Sequence, residues 1–378
     1  MSFFGIHKLL RLLYILRLGH GPEYVGLFSA ASALSFMGMS LPGGSLGRSF
    51  GTRRIIFLGS IIMIVGMVIQ PLGEFVPTAI QDLWPIGSQM VITAGWSMLN
   101  VNLVPALMAA ATKRNRNNAY ALSSSLKGLG TFLGIISGGM LPGLFAQALH
   151  QTLDTPGPYR CALWVSAALG TFGLIPLSFI GQVEGIAPEE REEARGPFPV
   201  LPVALMIAYV FLRHGGWAAC QAFYNAYLDT DLHPTASSIG LITGTGQFLA
   251  IPAALLTPRL TARRSNGWIL AATTVGMAIS LIPLALIPHW AAAGVAQMAI
   301  LVLSAIWMPA LQVFQMELVE AQWRSMAYGA VSMAMGLSFG SISLLGGYVI
   351  AARGYQTLFL LGAGLSMAAA VLMVGIPR

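Results

Sequence analysis

Charged residues are scarce in this chain. Only 9% of its 378 residues are Asp, Glu, Lys or Arg, whereas 56% are hydrophobic and the mean hydropathy is +0.74. Such a chain has too little polar surface to cover a water-soluble globule, so its composition excludes a soluble fold. We predict a protein that is embedded in a lipid bilayer.

Groups that carry enzymatic chemistry are also missing from the sequence. It has no P-loop for ATP, no cluster with metal-ligand spacing, and no set of nucleophile, base and orienting acid at the end of a hydrophobic run. Its two cysteines, Cys161 and Cys220, both lie within hydrophobic runs, so a disulfide framework is not expected. We therefore expect no enzyme, no cofactor and no bound metal ion.

Hydrophobic runs of about 20 residues, the length that a helix needs to cross the bilayer core, follow one another along the chain. A first, shorter run, 3–19, contains Lys8 and Arg11. It is either a span, a span that lacks its start, or an interfacial helix. The eleven longer runs are 23–47, 55–73, 84–111, 119–148, 159–181, 199–226, 237–257, 268–287, 290–315, 326–351 and 356–376.

The sequence also repeats itself once at a constant offset. Seven residues of the segment 116–139 recur in the segment 324–347, which begins 208 residues later (324 minus 116). With the first run counted there are twelve spans, so equivalent segments six spans apart point in the same direction. We predict an all-α polytopic membrane protein with two parallel six-helix bundles, 1–181 and 199–378, joined by an acidic cytoplasmic linker, 182–198.

Basic residues lie mainly on one side of the predicted spans. If the N-terminus is cytoplasmic, the outward loops hold only Arg160 and Arg353, beyond Arg17 at a span edge, and the other loop arginines face inward. This positive-inside bias predicts that both termini are cytoplasmic. The net charge of +7 then reflects contact with anionic lipid, and it gives no reason to expect a nucleic-acid partner.

A glycine-rich loop motif follows the second span. The segment 44–54 resembles the cytoplasmic loop signature of the major facilitator superfamily, and the segments 18–27 and 128–139 are similar to the family's first outer turn and fifth-span glycine pattern. The resemblance implies the family's fold, and secondary transport of a small molecule by alternating access across a bacterial inner membrane. We also expect a monomer. The residues of the loop motif that would act in a gate are Gly44, Arg48, Gly51, Arg53 and Arg54.

The sequence departs from the family pattern at two positions. Arg48 stands where the family usually has an acidic residue that pairs across the halves, so that latch is not expected here. Gly134-Ile135 stands where drug antiporters of the family often have Gly-Pro, which does not favour a drug exporter. Arg53 and Arg54 have two interpretations, a conformational gate or simple anchoring at lipid phosphates.

Ionisable residues inside the spans are all basic. Lys127 lies in the fifth span, and Arg213 and His214 lie near the middle of the seventh. They stand just before Gly215-Gly216, which we expect to weaken that helix and to open its backbone groups to a central cavity. A cavity lined by these groups would be electropositive and would favour a carboxylate, a phosphate or a neutral polar solute. Their alternatives are structural: Lys127 snorkels, Arg213 binds helix carbonyls, and His214 packs.

Neutral polar side chains within the spans supply further candidate contacts, because an unpaired amide in lipid is costly. They either touch the solute or hold helices together. With the basic residues, the candidate substrate-binding residues are Asn100, Asn102, Lys127, Arg213, His214, Gln221, Tyr224, Asn225, Gln247, Trp307 and Gln312.

The function that these patterns predict is secondary active transport of a small anionic or neutral polar solute. Two alternatives stay open. One is efflux of lipophilic compounds by a member of the same family. The other is a degenerate membrane sensor that transports nothing, which the weak first span and the altered loop motif would fit.

Overall fold

The computed structural model of the chain describes residues 2–110, 116–178, 199–261, 263–319 and 324–375. Within these residues every regular element is a helix. The long helices are α1 (Ser2–Arg17), α2 (Pro22–Phe50), α3 (Thr52–Ile69), α4 (Trp84–Ala110), α5 (Arg116–Leu149), α6 (Gly157–Phe172), α7 (Val200–Tyr227), α8 (Ala236–Thr261), α9 (Asn266–Leu286), α10 (Trp290–Leu318) and α11 (Arg324–Val374).

Short helical segments extend some of these helices or connect them. A 3₁₀ turn, Gln70–Glu74, continues α3, and a one-turn helix, Thr78–Gln81, lies between that turn and α4. A five-residue helix, Leu174–Ser178, follows α6, and a π turn, Leu228–Leu232, extends α7.

Nine helices in the described part of the chain are long and apolar enough to cross a membrane, by length and composition. One of them, Ala327–Met373 within α11, has 47 residues, about twice the length that one crossing needs. Gly354 interrupts it with φ 78°, a conformation that glycine adopts without steric cost. The predicted break between the last two spans is therefore confirmed.

Large apolar side chains cover the outside of these helices. Four examples are each more than 60% exposed on the single chain: Leu34, Phe172, Val295 and Val371. An aqueous surface would not favour so many exposed large hydrophobic groups, whereas acyl chains of a bilayer would cover them.

Helix α1 is an internal element of the fold. It packs against α5 and α6, and Leu9, Leu10 and Leu13 are fully buried. A Cβ atom on Gly5 would lie only 3.0 Å from the Cα of Gly134 in α5, which shows how closely the two backbones approach. The expectation of an interfacial helix is therefore wrong, because the face of α1 that would lie in lipid is buried against other helices.

A single residue, Gly51, separates α2 from α3. Its φ is 91°, and nothing lies within 4 Å of the position that a Cβ would occupy. The turn therefore requires glycine for its backbone conformation and not for space. Gly51 thus forms a tight turn within the loop motif.

Contacts divide the chain into two compact units. In the first unit α1 packs with α5 and α6, and α3 with α4; in the second α7 packs with α11, and α9 with α10 and α11. The predicted linker, 182–198, lies outside the described residues, so the predicted domain boundaries stay a prediction. The first unit consists of Met1–Gly21, Leu27–Glu189 and Ala236–Leu241, and the second of Pro22–Gly26, Glu190–Thr235 and Ile242–Arg378.

The sequence repeat makes equivalent contacts in the two units. A Cβ on Gly138 of α5 would lie 3.0 Å from the Cα of Ile6 in α1. A Cβ on Gly346 of α11 would lie 2.8 Å from an aromatic carbon of Phe223 in α7. Each glycine thus lets a helix pack closely on the first helix of its own half of the sequence.

The next pair of repeated glycines contacts the first turns of α8 and α2. A Cβ on Gly139 would lie 2.8 Å from the carbonyl oxygen of Ala236, and the Ser237 hydroxyl donates to the Gly139 carbonyl at 3.1 Å. A Cβ on Gly347 would lie 2.8 Å from the carbonyl oxygen of Pro22. Because of these contacts, the first turn of α8 belongs to the first unit and the first turn of α2 belongs to the second unit.

Candidate functional site

One face of α7 carries buried polar groups that have no partner in the described part of the chain. His214, Gln221 and Asn225 are separated by seven and four residues, so they lie along one face of the helix. Among the described residues, no hydrogen bond reaches His214 Nδ1, Gln221 Nε2 or Asn225 Oδ1. The adjacent hydroxyl of Tyr224, a residue only 2% exposed, is also unpartnered there. We call these four residues the α7 polar stripe.

The α7 helix runs without a break past Gly215-Gly216. A Cβ on Gly216 would lie 2.7 Å from the carbonyl oxygen of Gly362 in α11. The expectation that the glycine pair opens the helix is therefore wrong, because these glycines let α11 pack against an intact α7.

Aromatic and sulfur contacts surround the stripe. The His214 ring lies 4.6 Å from the Trp217 ring, centroid to centroid, and Trp217 in turn contacts Phe339 of α11 at 5.9 Å. One turn further along, the Cys220 thiol donates to the side-chain oxygen of Gln297 in α10 at 2.9 Å. The stripe thus lies on a rigid helix that α10 and α11 hold in place.

Arg213 points away from the stripe into the packed interior of the second unit. It is 1% exposed, its Nη2 donates to the Ser304 hydroxyl at 3.1 Å, and its guanidinium carbon lies 3.8 Å from the centroid of the Trp307 ring. Its Nε has no partner among the described residues. This geometry favours a cation–π and hydrogen-bond role for Arg213.

Trp307 belongs to a hydrogen-bonded chain that links α10, α7 and α9. Its Nε1 donates to the Tyr209 hydroxyl at 2.8 Å, and that hydroxyl lies 2.9 Å from the Thr274 hydroxyl. Tyr209 and Trp307 are both fully buried within one hydrophobic cluster. The Trp307 indole donor is therefore already satisfied by protein.

Asn102 holds two helices of the first unit together. Its Nδ2 donates to the carbonyl of Gly43 in α2 at 2.9 Å and to the carbonyl of Met98 in its own helix at 2.8 Å. A Cβ on Gly47 would collide with the Asn102 amide, so glycine at 47 makes room for it. Of the two interpretations for the amides, helix packing fits Asn102.

The remaining candidate residues lie on four different helices. Asn100, Lys127, Gln247 and Gln312 are half-buried residues of α4, α5, α8 and α10, respectively. Lys127 accepts through its carbonyl from Thr131, and its ammonium group has no partner among the described residues. Their contact with a solute stays a prediction.

The loop motif is described in part. Gly44 and Arg53 are half-buried, Arg54 is exposed, and Gly51 forms the turn between α2 and α3. The side chain of Arg48 lies outside the described residues. The gate role of this motif stays a prediction.

A second group of polar residues, on α1, was not among the sequence-based candidates. His7 is 1% exposed, and neither of its ring nitrogens has a hydrogen-bond partner among the described residues. The buried Nε of Arg11 is likewise unpartnered there. The signal was the presence of ionisable residues within the first predicted run, which also holds Lys8 and Arg11.

A glutamine pair next to this group was also missed. Gln70 Nε2 donates to Gln89 Oε1 at 3.2 Å, and Gln89 Nε2 donates to the Ser32 hydroxyl at 3.2 Å. Both glutamines are fully buried in the first unit. Gln89 lies within the fourth predicted span. The argument that an unpaired amide within a span is costly, which selected Asn100, applies equally to Gln89.

An ion pair joins α6 to the 3₁₀ turn after α3 in the first unit. Arg160 Nη1 lies 2.9 Å from Glu74 Oε2, and the Tyr14 hydroxyl donates to Glu74 Oε1 at 3.3 Å. The Arg160 guanidinium also stacks on Phe75, 4.8 Å from its ring centroid. In the described part of the chain, no group of three or more His, Cys, Asp or Glu residues could hold a metal ion.

These features define a polytopic helical membrane protein whose two halves repeat one plan. The sequence model of the Major Facilitator Superfamily matches residues 10–226 and 205–378, which together are nearly the whole chain. The chain belongs to this superfamily, and it is an integral membrane protein of a transporter family. The predicted family and the predicted fold are confirmed.

Solved structures show the same fold at low sequence identity. The xylose transporter XylE from E. coli, in an inward-open conformation, matches with a TM-score of 0.78 and 13% identity, covering 100% of this chain and 94% of its own. A mutant of the nucleoside transporter NupG gives a TM-score of 0.73 at 13% identity, covering 100% and 96%. The transporter FucP, in an outward conformation, gives 0.61 at 14%, covering 100% of both chains. A comparison with curated proteins found no match.

Proposed function

We propose that this protein is a secondary active transporter that moves a small anionic or neutral polar solute by alternating access. The α7 polar stripe is the observation that carries the proposal. A buried donor or acceptor without a partner costs about 1–3 kcal/mol, so four such residues on one helix are an expensive feature to retain for structure alone. A polar solute that pairs with them would remove that cost.

The charges of the described residues support an anionic or neutral solute over a cationic one. Lys127, Arg213 and His214 lie within helices, whereas the described acids lie in connections or in the end turns of helices, as Glu23 and Glu317 do. An electropositive interior attracts anions more strongly where water is scarce. The solved relatives carry a nucleoside and xylose by name, which are both polar solutes.

The setting that we propose follows the positive-inside bias of the sequence. The protein lies in a bacterial inner membrane as a monomer, with both termini in the cytoplasm. Arginine-rich loops on the cytoplasmic side contact anionic headgroups, and neither nucleic acid nor a metal ion takes part.

A thermal-shift screen of the purified protein tests the class of solute. We expect carboxylates, phosphates or neutral polar solutes to raise the melting temperature, because a ligand that binds only the folded state stabilises it by RT ln(1 + [L]/Kd). Replacing Gln221 by Leu should weaken or abolish that shift, since the amide would no longer pair with the solute.

Gln147→Leu is the matched control for this screen, because Gln147 is exposed near the end of α5 and lies outside the stripe. It should keep the wild-type shift. Stabilisation by lipophilic quaternary ammonium dyes alone would contradict the proposal and favour drug efflux. Unchanged solute binding by Gln221→Leu would remove the stripe from the solute site.

A further inference from the structure

Three basic or titratable residues of α1 lie inside the first unit, and the described part of the chain gives them no counter-ion. His7 is fully buried, and Lys8 and Arg11 are half-buried, one helical turn apart. Among the described residues, no carboxylate pairs with Lys8 or Arg11, and the Arg11 guanidinium carbon lies 5.8 Å from the centroid of the Phe28 ring. The charges of Lys8 and Arg11 are therefore not neutralised by the part of the chain that the structure describes.

The polar groups around this cluster bond mainly to each other. The Gln89 oxygen accepts from Gln70 and its nitrogen donates to Ser32, so its contact with the neighbouring His7 ring is only a weak hydrogen bond. Three buried nitrogens, His7 Nδ1, His7 Nε2 and Arg11 Nε, have no hydrogen bond of ordinary geometry among the described residues. Such orphaned buried groups in a fold require an explanation, and a bound ion or ligand is one.

Arg11 also lies away from the C-terminal end of its helix. It precedes Arg17 by six residues, about 9 Å along the axis at 1.5 Å per residue. A basic side chain that merely reaches a lipid headgroup belongs within a turn or so of a helix end. The depth of Arg11 therefore favours a ligand that enters the protein.

We propose that His7, Lys8 and Arg11 form a binding site, within the first unit, for the carboxylate or phosphate group of the transported solute. This inference rests on the proposed function and makes the anionic class of solute specific. The guanidinium and ammonium groups supply charge-assisted hydrogen bonds to the oxyanion, and the buried imidazole of His7 donates a further one. Phe28 and Gln89 line the site, and Gln89 is held in place by its two neighbours.

The test uses the full chain, purified in nanodiscs of phosphatidylcholine, with inorganic phosphate and succinate as probes. Chloride keeps the ionic strength constant while the melting temperature is recorded against probe concentration. We expect a saturable rise for at least one probe in the wild type. Lys8→Gln and Arg11→Gln should each need at least tenfold more probe for the same rise, because each removes one charge-assisted contact.

Arg353→Gln is the control for the change in net charge, since Arg353 is exposed next to the Gly354 break, and it should bind as the wild type does. If Arg11→Gln does not fold, Lys8→Gln decides the question alone, because its half-buried side chain makes no hydrogen bond among the described residues. Wild-type affinity in Lys8→Gln, or no stabilisation of the wild type by either probe, would overturn the proposal. So would stabilisation by added phosphatidylglycerol only, which would assign the site to a lipid headgroup.

Failure of this site and failure of the proposed function give different results. If Lys8→Gln loses probe affinity but reconstituted wild type moves no solute, the anion site stands and transport does not. If the wild type transports an anion and Lys8→Gln transports it with an unchanged half-saturating concentration, transport stands and the anion site is wrong.

Discussion

Gly139→Ala should lower the melting temperature by several degrees, whereas Gly143→Ala, one turn further along the same helix, should leave it unchanged or raise it. Alanine ordinarily stabilises a helix over glycine by about 0.5–1 kcal/mol. At Gly143 nothing lies within 4 Å of the added methyl group, so only that gain applies.

At Gly139 the added methyl group meets backbone atoms that cannot turn away. It would lie 2.8 Å from the Ala236 carbonyl oxygen and 3.0 Å from the Cα of Gly240. The first turn of α8 must then move, which breaks the hydrogen bond from Ser237 to Gly139. Overpacking of this kind costs about 1–3 kcal/mol, which exceeds the gain in helix propensity.

The repeat supplies an independent copy of this comparison. Gly347→Ala would place its methyl group 2.8 Å from the Pro22 carbonyl oxygen and 2.9 Å from the Cα of Glu23, whereas Gly364→Ala in the same helix meets nothing within 4 Å. Thermal unfolding of all four variants measures both pairs. Equal melting temperatures within each pair would show that the close approach of these helices is not a feature of the folded protein.

Arg213→Gln should also destabilise the protein strongly. The change removes a buried cation–π contact with Trp307, 3.8 Å from guanidinium carbon to ring centroid, which is worth about 2 kcal/mol when desolvated. It also removes the hydrogen bond to Ser304. Arg213→Lys should cost at least as much, because it keeps a buried charge but loses the planar group that stacks on the indole.

The control for Arg213 is again Arg353→Gln, which should change the free energy of unfolding by no more than about 0.5 kcal/mol. Denaturant or thermal unfolding measures the difference. Unchanged stability of Arg213→Gln together with lost solute binding would reverse the assignment, and Arg213 would then contact the solute, as the sequence alone allows.

The positions of the helices were largely predictable from hydrophobic runs. The predicted span 199–226 became Val200–Tyr227, and the break before the last span lies at Gly354. The first span was the exception. Its basic residues weakened the hydropathy signal. The helix nevertheless belongs to the fold because it packs against other helices, and hydropathy does not encode such contacts.

The site was less predictable, because a polar residue in a span has two possible partners. Asn102 bonds to the Gly43 carbonyl, and Arg213 to Ser304 and Trp307 on another helix. These partners depend on which helices are neighbours, which a single sequence does not state. His7 was missed because the sequence left it open whether its helix is a span.

Uptake into proteoliposomes tests most directly whether the protein carries a polar solute. We expect saturable accumulation of at least one radiolabelled carboxylate, phosphate or neutral polar solute by vesicles that contain the wild type, and a clear reduction for Gln221→Leu but not for Gln147→Leu. Vesicles that accumulate none of these solutes, or only lipophilic cations, would contradict the proposed function.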